Sequence, residues 1–293
     1  MNTSSESAPG DLIQARGLRK SYSGVQALDG LDLTLPRGRI LGLIGPNGSG
    51  KTTAIKTLLG LSHRNGGTLS VLGMDPAGNR ADVMRHTAYI ADTGILPRWM
   101  KVHQLIDCFA GLHPTFDRQR LDAILADTDI QPNRKVRSLS KGMNVQLHLA
   151  LILAIDARLL VLDEPTLGLD QLFRQKFYNL LINDFADGER SILITTHEVR
   201  EVEHLLTDVV FLSHGRKVLD MAMADVGRHY ARLATDSAGA EAARSLSPLS
   251  EQRTPGGVEF IFAGTDRSRL SDLGEVSTPN LAELFVAIVG GER

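Results

Sequence analysis

GPNGSGKTT, Gly45 to Thr53, fits the pattern G-x-x-x-x-G-K-[ST] through Gly45, Gly50, Lys51 and Thr52. Without Cβ atoms, Gly45, Gly48 and Gly50 let successive backbone N–H groups turn inward on a phosphate chain. Pro46, Asn47 and Ser49 complete the loop, and Thr53 follows it into the next element. Lys51 supplies a point charge for the outer phosphates. The Thr52 hydroxyl is a ligand for Mg²⁺, an ion that takes a few protein oxygens beside phosphate and water. The flanks agree: RILGLIG (Arg39 to Gly45) reads as a buried strand, and TTAIKTLLG (Thr52 to Gly60) as a helix whose N-terminus favours an anion.

Bulk composition sets the frame for this loop. The chain has 293 residues, enough for one large domain with a small one, or for two modest domains. Hydrophobic residues make up 42% and charged residues 23%, a globular profile with a sizeable core. A formal charge of −2 argues against a generic nucleic-acid binder, which usually carries a basic excess. Cys108 is the only cysteine, so no intrachain disulfide forms; in QLIDCFAGL it reads as a small buried hydrophobe. Met1 to Asp11 has no apolar signal core, and the longest apolar run, Leu147 to Ile155, is too short to span a bilayer. Any membrane role therefore runs through a partner.

Taken in order, residues 1–11 read as a mobile tail. From Leu12, turn signals at Ser23-Gly24 and Asp29-Gly30 predict short antiparallel strands beside the loop, with Tyr22 at a tip. There Tyr22 presents an aromatic face on which a base can stack. GTLSVLG (Gly67 to Gly73) and HTAYIAD (His86 to Asp92) read as strands. Leu105, Ile106, Phe109 and Leu112, then Leu121, Ile124 and Leu125, recur at helical spacing on either side of Pro114. SLSKGMNVQLHLALILA places Ser140 as the cap of an apolar helix. LLVLDEP and SILITTHE read as parallel-type strands ending at Asp163-Glu164 and His197, and DVVFLSHGRKVLD as a hairpin closing at His214-Gly215.

In an open α/β sheet, ligands sit beyond the carboxyl ends of the strands. Four strands carry polar residues there: the glycine loop, Asp92, Asp163-Glu164 and His197. Asp163 is placed to hold Mg²⁺ opposite Thr52, Glu164 to orient or deprotonate a water, and His197 to contact a terminal phosphate. Any one of these alone is an ordinary turn or a structural group. Their coincidence at one sheet edge predicts phosphate chemistry.

GPNGSGKTT, LSKGM, LLVLDEPTLGLD and ITTH, in that order and spacing, resemble the ATP-binding subunit of ABC transporters over about Leu12 to Asp220. The resemblance implies a P-loop NTPase (RecA-like) α/β core at 12–222, with an antiparallel β subdomain and a helical subdomain at about 95–157. It implies ATP and Mg²⁺ as ligands, and a head-to-tail homodimer with two ATP molecules between the protomers. It also implies an integral membrane permease as partner, and a cytoplasmic, peripheral place on the inner face of the membrane. By motif position, Tyr22 stacks on adenine, Gly45 to Thr53 is the Walker A loop, and Asp163 and Glu164 are the Walker B metal and base positions. Asp170 is the D-loop acid, and His197 the switch histidine. Ser140, Lys141, Gly142 and Met143 form the signature loop that meets ATP held by the other protomer.

Two departures stand out. Ser140-Lys141-Gly142-Met143 replaces the family's Ser-Gly-Gly-Gln and is similar to ATPases of bacterial two-component exporters. Asp92 falls where the family has its Q-loop glutamine, so a shorter, charged side chain takes that place near the metal. Asn144-Val145-Gln146 stands where the family usually has basic residues. GILPRWM (Gly94 to Met100) matches the groove that receives a helix of the permease, with Trp99 and Leu96 either forming an apolar contact there or packing within the helical insert. The tail, 223–293, predicts a small α/β appendage with a strand VEFIF and a helix capped by Thr278, its apolar stripe made by Leu281, Leu284, Phe285 and Ile288. Export of a drug, peptide or lipid-like substrate is the leading setting; an importer subunit and a soluble ATPase without a membrane partner are the alternatives.

Overall fold

A computed structural model describes residues 10–91, 96–166, 169–184 and 190–290. In chain order the first sixteen elements are β1 (Asp11–Tyr22), β2 (Val25–Pro36), β3 (Ile40–Ile44), α1 (Lys51–Leu58), β4 (Gly66–Val71), α2 (Pro76–Arg85), β5 (Thr87–Ile90), α3 (Val102–Leu112), α4 (Arg118–Leu125), α5 (Lys141–Leu153), β6 (Leu159–Asp163), α6 (Gln171–Asp184), β7 (Ser191–Thr196), α7 (Val199–Val202), β8 (Asp208–Ser213) and β9 (Arg216–Ala222). Then follow α8 (Val226–His229), β10 (Tyr230–Thr235), α9 (Ser237–Arg244), β11 (Ser250–Thr254), β12 (Gly257–Ala263), α10 (Arg267–Ser271), β13 (Glu275–Ser277) and α11 (Leu281–Val289).

The sheet that carries the glycine loop runs β5-β6-β7-β3-β8-β9, parallel except for β9 at its edge. Its inner strands β3, β6, β7 and β8 are mostly apolar because both of their faces are covered. Ile40 and Ile44 of β3, Leu162 of β6, Ile192 and Ile194 of β7, and Val209 and Phe211 of β8 enter one core beside α5 and α6. The alternate residues Leu41, Leu43, Val161, Leu193, Val210 and Leu212 enter the other, closed by α1 and a three-stranded sheet β2-β1-β4. This period-two division fixes the register: a slip of one residue exchanges the two cores along the whole strand.

β1 and β2 are long, at 12 residues each, where short strands were expected. Register shifts along the pair let the ribbon curl over the sheet rather than end early. Ser23 and Gly24, with φ of 47° and 86°, make the two-residue turn between Tyr22 and Val25, as the right-handed strand twist prefers.

α3, α4 and α5 surround a separate core that includes Leu96, Leu105, Leu121, Leu147 and Leu151. α5 is apolar nearly all round because its other side, with Leu149, Ile152 and Leu153, belongs to the main core. Two readings fail here, that Cys108 is buried and that Trp99 packs within the helical insert. Cys108 is exposed, since it lies off the Val102–Leu105 stripe by which α3 is buried. Leu112, at the helix end, is exposed as well. Leu96 is buried in this core, whereas Trp99 is 74% exposed, so the two do not share one apolar surface.

The C-terminal residues form an antiparallel sheet, β11-β12-β10-β13, with α9 and α10 in the β-α-β-β-α-β order of ferredoxin-like folds. Phe260, Phe262 and Leu233 line its own core. α11 then leaves this unit and enters the main core through Leu281, Leu284 and Ala287, with Phe285 edge-on to Phe211 at 5.1 Å. Its cap is Asn280 and not Thr278. Asn280 accepts from Glu283 N–H, and Glu283 reaches back to Asn280 N–H, a reciprocal box that Thr278, paired with Arg267, cannot form.

Candidate functional site

The order β6-β7-β3 puts the ends of three neighbouring strands, and so Asp163-Glu164, His197 and the glycine loop, at one edge. The loop leaves β3 and enters α1 with Gly48 at φ 81° and Gly50 at φ 109°. A Cβ on Gly50 would lie 2.5 Å from the Ala27 carbonyl oxygen, and one on Gly45 would lie 2.4 Å from that of Leu212. Space at Gly48 is open; its requirement is conformational. The Ser49 hydroxyl is buried inside the loop without a hydrogen-bond partner among the described residues.

Lys51 is 7% exposed and folds back, with Nζ donating to Gly45 O at 2.7 Å and Pro46 O at 3.3 Å. The same ammonium lies 3.8 Å from Glu164 Oε1. Glu164 has φ of 49°, so strand alternation stops there and the carboxylate swings towards the loop. Its Oε2 lies 2.9 Å from His197 Nδ1. Lysine, glutamate and histidine thus form a continuous chain of polar contacts. Beside it, buried Asp163 accepts a 2.5 Å hydrogen bond from Thr195 of β7, which fixes the carboxylate at the strand end.

The other expected residues are more dispersed. Tyr22 is 45% exposed, with its hydroxyl 3.0 Å from Ser62 Oγ and Lys20 Nζ 4.6 Å from the ring centroid. Ser140 caps α5 by accepting from Met143 N–H at 3.1 Å, which leaves Lys141 exposed at the first helical turn and Gly142 beside it. Asp170 caps α6 by accepting from Phe173 N–H. Asp92 lies outside the described residues.

Two contributions were missed in the sequence. The His214-Gly215 hairpin turn braces the loop: Gly215 N–H donates to Ser49 O, and Asp29 N–H donates to Gly215 O. Its sequence announces a turn but nothing about what the turn touches. Asn144, uninterpretable in sequence, donates from Nδ2 to Leu139 O at 3.1 Å and to Ser140 O at 2.9 Å, tying down the turn before α5. Asn144→Ala is expected to leave the melting midpoint almost unchanged, because a lost hydrogen bond of about 1 kcal/mol is offset by alanine's better helix propensity. Amide exchange at Met143 should meanwhile quicken about fivefold; unaltered exchange there would show that Asn144 braces nothing.

The family model described as "ABC transporter" matches residues 28–167. "ABC transporter ATP-binding protein YtrB" of Bacillus subtilis (strain 168) is 29% identical over 294 residues, covering 96% of this chain and 99% of that protein. "Nod factor export ATP-binding protein I" of Cupriavidus pinatubonensis (strain JMP 134 / LMG 1197) is 32% identical over 305 residues, covering 96% of this chain and 91% of that protein. The chain belongs to the ABC transporter ATP-binding proteins. A solved structure described as that of an ATP binding subunit of an ABC transporter agrees, with a TM-score of 0.69 at 26% identity over 74% of this chain and 92% of that one. As an ABC ATPase, this protein binds and hydrolyses ATP to power transport, and works with membrane components. Among its described residues no helix is long and apolar enough to cross a membrane.

Proposed function

We propose that this ABC ATPase drives a separate membrane permease in export, using the edge formed by Gly45–Thr53, Glu164 and His197. The observation that carries the reading is the Lys51–Glu164–His197 chain, since it joins a phosphate-binding cation to a base by an ion pair at 3.8 Å and that base to a sensor by a hydrogen bond at 2.9 Å. The glycine loop takes the ATP phosphates, and Tyr22 offers its ring to the base. Lys51 exchanges the loop carbonyls for phosphate oxygens as ATP enters. Glu164, relieved of that cation, orients and deprotonates the attacking water, while His197 holds the carboxylate through Nδ1 and meets the terminal phosphate.

The donor set suits Mg²⁺. Asp163 is a buried carboxylate held by Thr195, Thr52 supplies a hydroxyl, and no group of three His, Cys, Asp or Glu side chains gathers among the described residues. That is the sparse oxygen set magnesium accepts beside phosphate and water. Bound there, the ion would neutralise charge on the phosphate oxygens. Asp92 enters this reading on its sequence position alone.

Ser140 and Lys141 are exposed at a helix N-terminus, with Gly142 and Met143 half-buried behind them, as a surface offered to ATP on a second copy requires. Two copies head to tail would each close the other's site. Moving such a dimer from 1:99 to 99:1 takes about 5.5 kcal/mol of differential binding. Exposed Trp99 is the anchor offered to the permease, and residues 223–293 are an accessory unit whose last helix, α11, is seated in the ATPase core at 12–222. Export rather than import is favoured by the Lys-Gly-Met signature and by the name of the 32% identical relative. Affinity purification of the tagged full-length chain from native membranes should recover a polytopic membrane protein. Recovery of ribosomal or DNA-repair proteins in its place, or of a substrate-binding protein with the permease, would reject export.

A further inference from the structure

The segments that leave Glu164 and His197 meet a second time, behind the sheet edge. Thr166, two residues past Glu164, is buried, and its hydroxyl lies 3.2 Å from Tyr178 OH of α6 and 3.4 Å from Glu201 Oε2 of α7. Glu201, four residues past His197, is ion-paired with Arg174 of α6. The Arg174 guanidinium also donates to Leu169 O at 3.1 Å, immediately before Asp170. Tyr178 continues the contact, its ring edge-on to His204 at 6.2 Å. Burial pushes the Tyr178 hydroxyl above the usual tyrosine range, so it remains a neutral donor at physiological pH.

Stability alone does not explain this cluster. Arg174 Nε is buried without a hydrogen-bond partner among the described residues, and an apolar pair of similar volume would join α6 to α7 with no such defect. What an apolar pair lacks is direction. A planar guanidinium with one nitrogen on Glu201 and another on Leu169 O fixes both the distance and the angle between the segments it joins.

We propose that Arg174 and Glu201 are positioning residues for ATP hydrolysis, holding the Glu164 turn, the Asp170 cap and the His197 segment in one register. The proposal rests on the reading of Glu164 and His197 given above. Neither residue touches the nucleotide; each acts through the backbone it holds.

The test uses the purified full-length chain and MgATP. Arg174→Ala and Glu201→Gln are expected to lower kcat by about 100-fold, the loss that a displacement of about 1 Å brings, with KM and nucleotide affinity within about threefold. Arg174→Lys keeps the charge without the fork and should recover only a minor part. Arg174→Glu combined with Glu201→Arg should be faster than either single reversal. Unchanged kcat overturns the proposal, as does a loss shared equally by affinity, kcat and melting midpoint. If Arg174→Ala does not fold, the kcat of Glu201→Gln decides. Wild-type hydrolysis by Glu164→Gln and His197→Ala would remove the site reading itself. Inactivity of those two beside fully active Arg174 and Glu201 variants would remove the positioning role alone.

Discussion

Glu164→Gln is expected to lower kcat for MgATP hydrolysis by about 10³-fold, within the range of about 10²–10⁴ for a lost general base. The substitution keeps the shape of a side chain that lies 2.9 Å from His197 Nδ1 and 3.8 Å from Lys51 Nζ, but an amide does not take the proton from water. At about 1.4 kcal/mol per tenfold, this is about 4 kcal/mol of barrier. Binding should move the other way. A carboxylate beside Lys51 competes with the triphosphate for the same cation, so the amide should leave ATP affinity equal or tighter. ATP then persists, and the closed head-to-tail dimer should accumulate on gel filtration with MgATP. A kcat within threefold of wild type would remove Glu164 as the base. A strictly monomeric profile with ATP bound would instead count against the shared site.

The parts of this site legible in sequence are those encoded by local backbone demands. Gly45, Gly48 and Gly50 are glycines because two are too close to carbonyl oxygens for a Cβ and two need positive φ, and such demands leave a fixed spacing. The apolar strands announce themselves for the same reason, since a sheet covered on both faces admits few polar residues. Long-range partners leave no such mark. Nothing in LSHG says that Gly215 N–H will meet Ser49 O, and nothing in FRQK says that Arg174 will reach Glu201. Cys108 and Thr278 fail for another reason. Each was judged by its neighbours in sequence, whereas exposure depends on angle round a helix and capping on which of two candidates finds a reciprocal partner. The four-stranded C-terminal sheet was half legible: VEFIF is apolar enough to read as a strand, but β11, SEQRT, is a polar edge strand with no periodic signal.

Lys51→Ala is expected to weaken nucleotide binding by at least about 100-fold. The estimate comes from charge-assisted hydrogen bonds, worth about 1.5–3 kcal/mol each, of which Lys51 would make at least two to phosphate oxygens. Its present contacts show why the fold should survive the change. Nζ rests on the carbonyls of Gly45 and Pro46, which water can solvate in the space the truncated side chain vacates, and positive φ at Gly48 and Gly50 holds the loop without it. The melting midpoint should therefore shift by only a few degrees, an effect of about 1 kcal/mol. Glu164 loses its nearest cation in the same step, so the nucleotide that still binds faces an unopposed carboxylate, and hydrolysis should fall further than affinity. Lys51→Arg should not rescue either property, because a planar fork on a longer stem does not fit a loop shaped for a compact ammonium. Calorimetric titration with MgATP checks the argument. Undiminished affinity in a folded Lys51→Ala protein would mean that Gly45–Thr53 is only a glycine turn before a helix, and the convergence of Glu164 and His197 upon it would need another explanation.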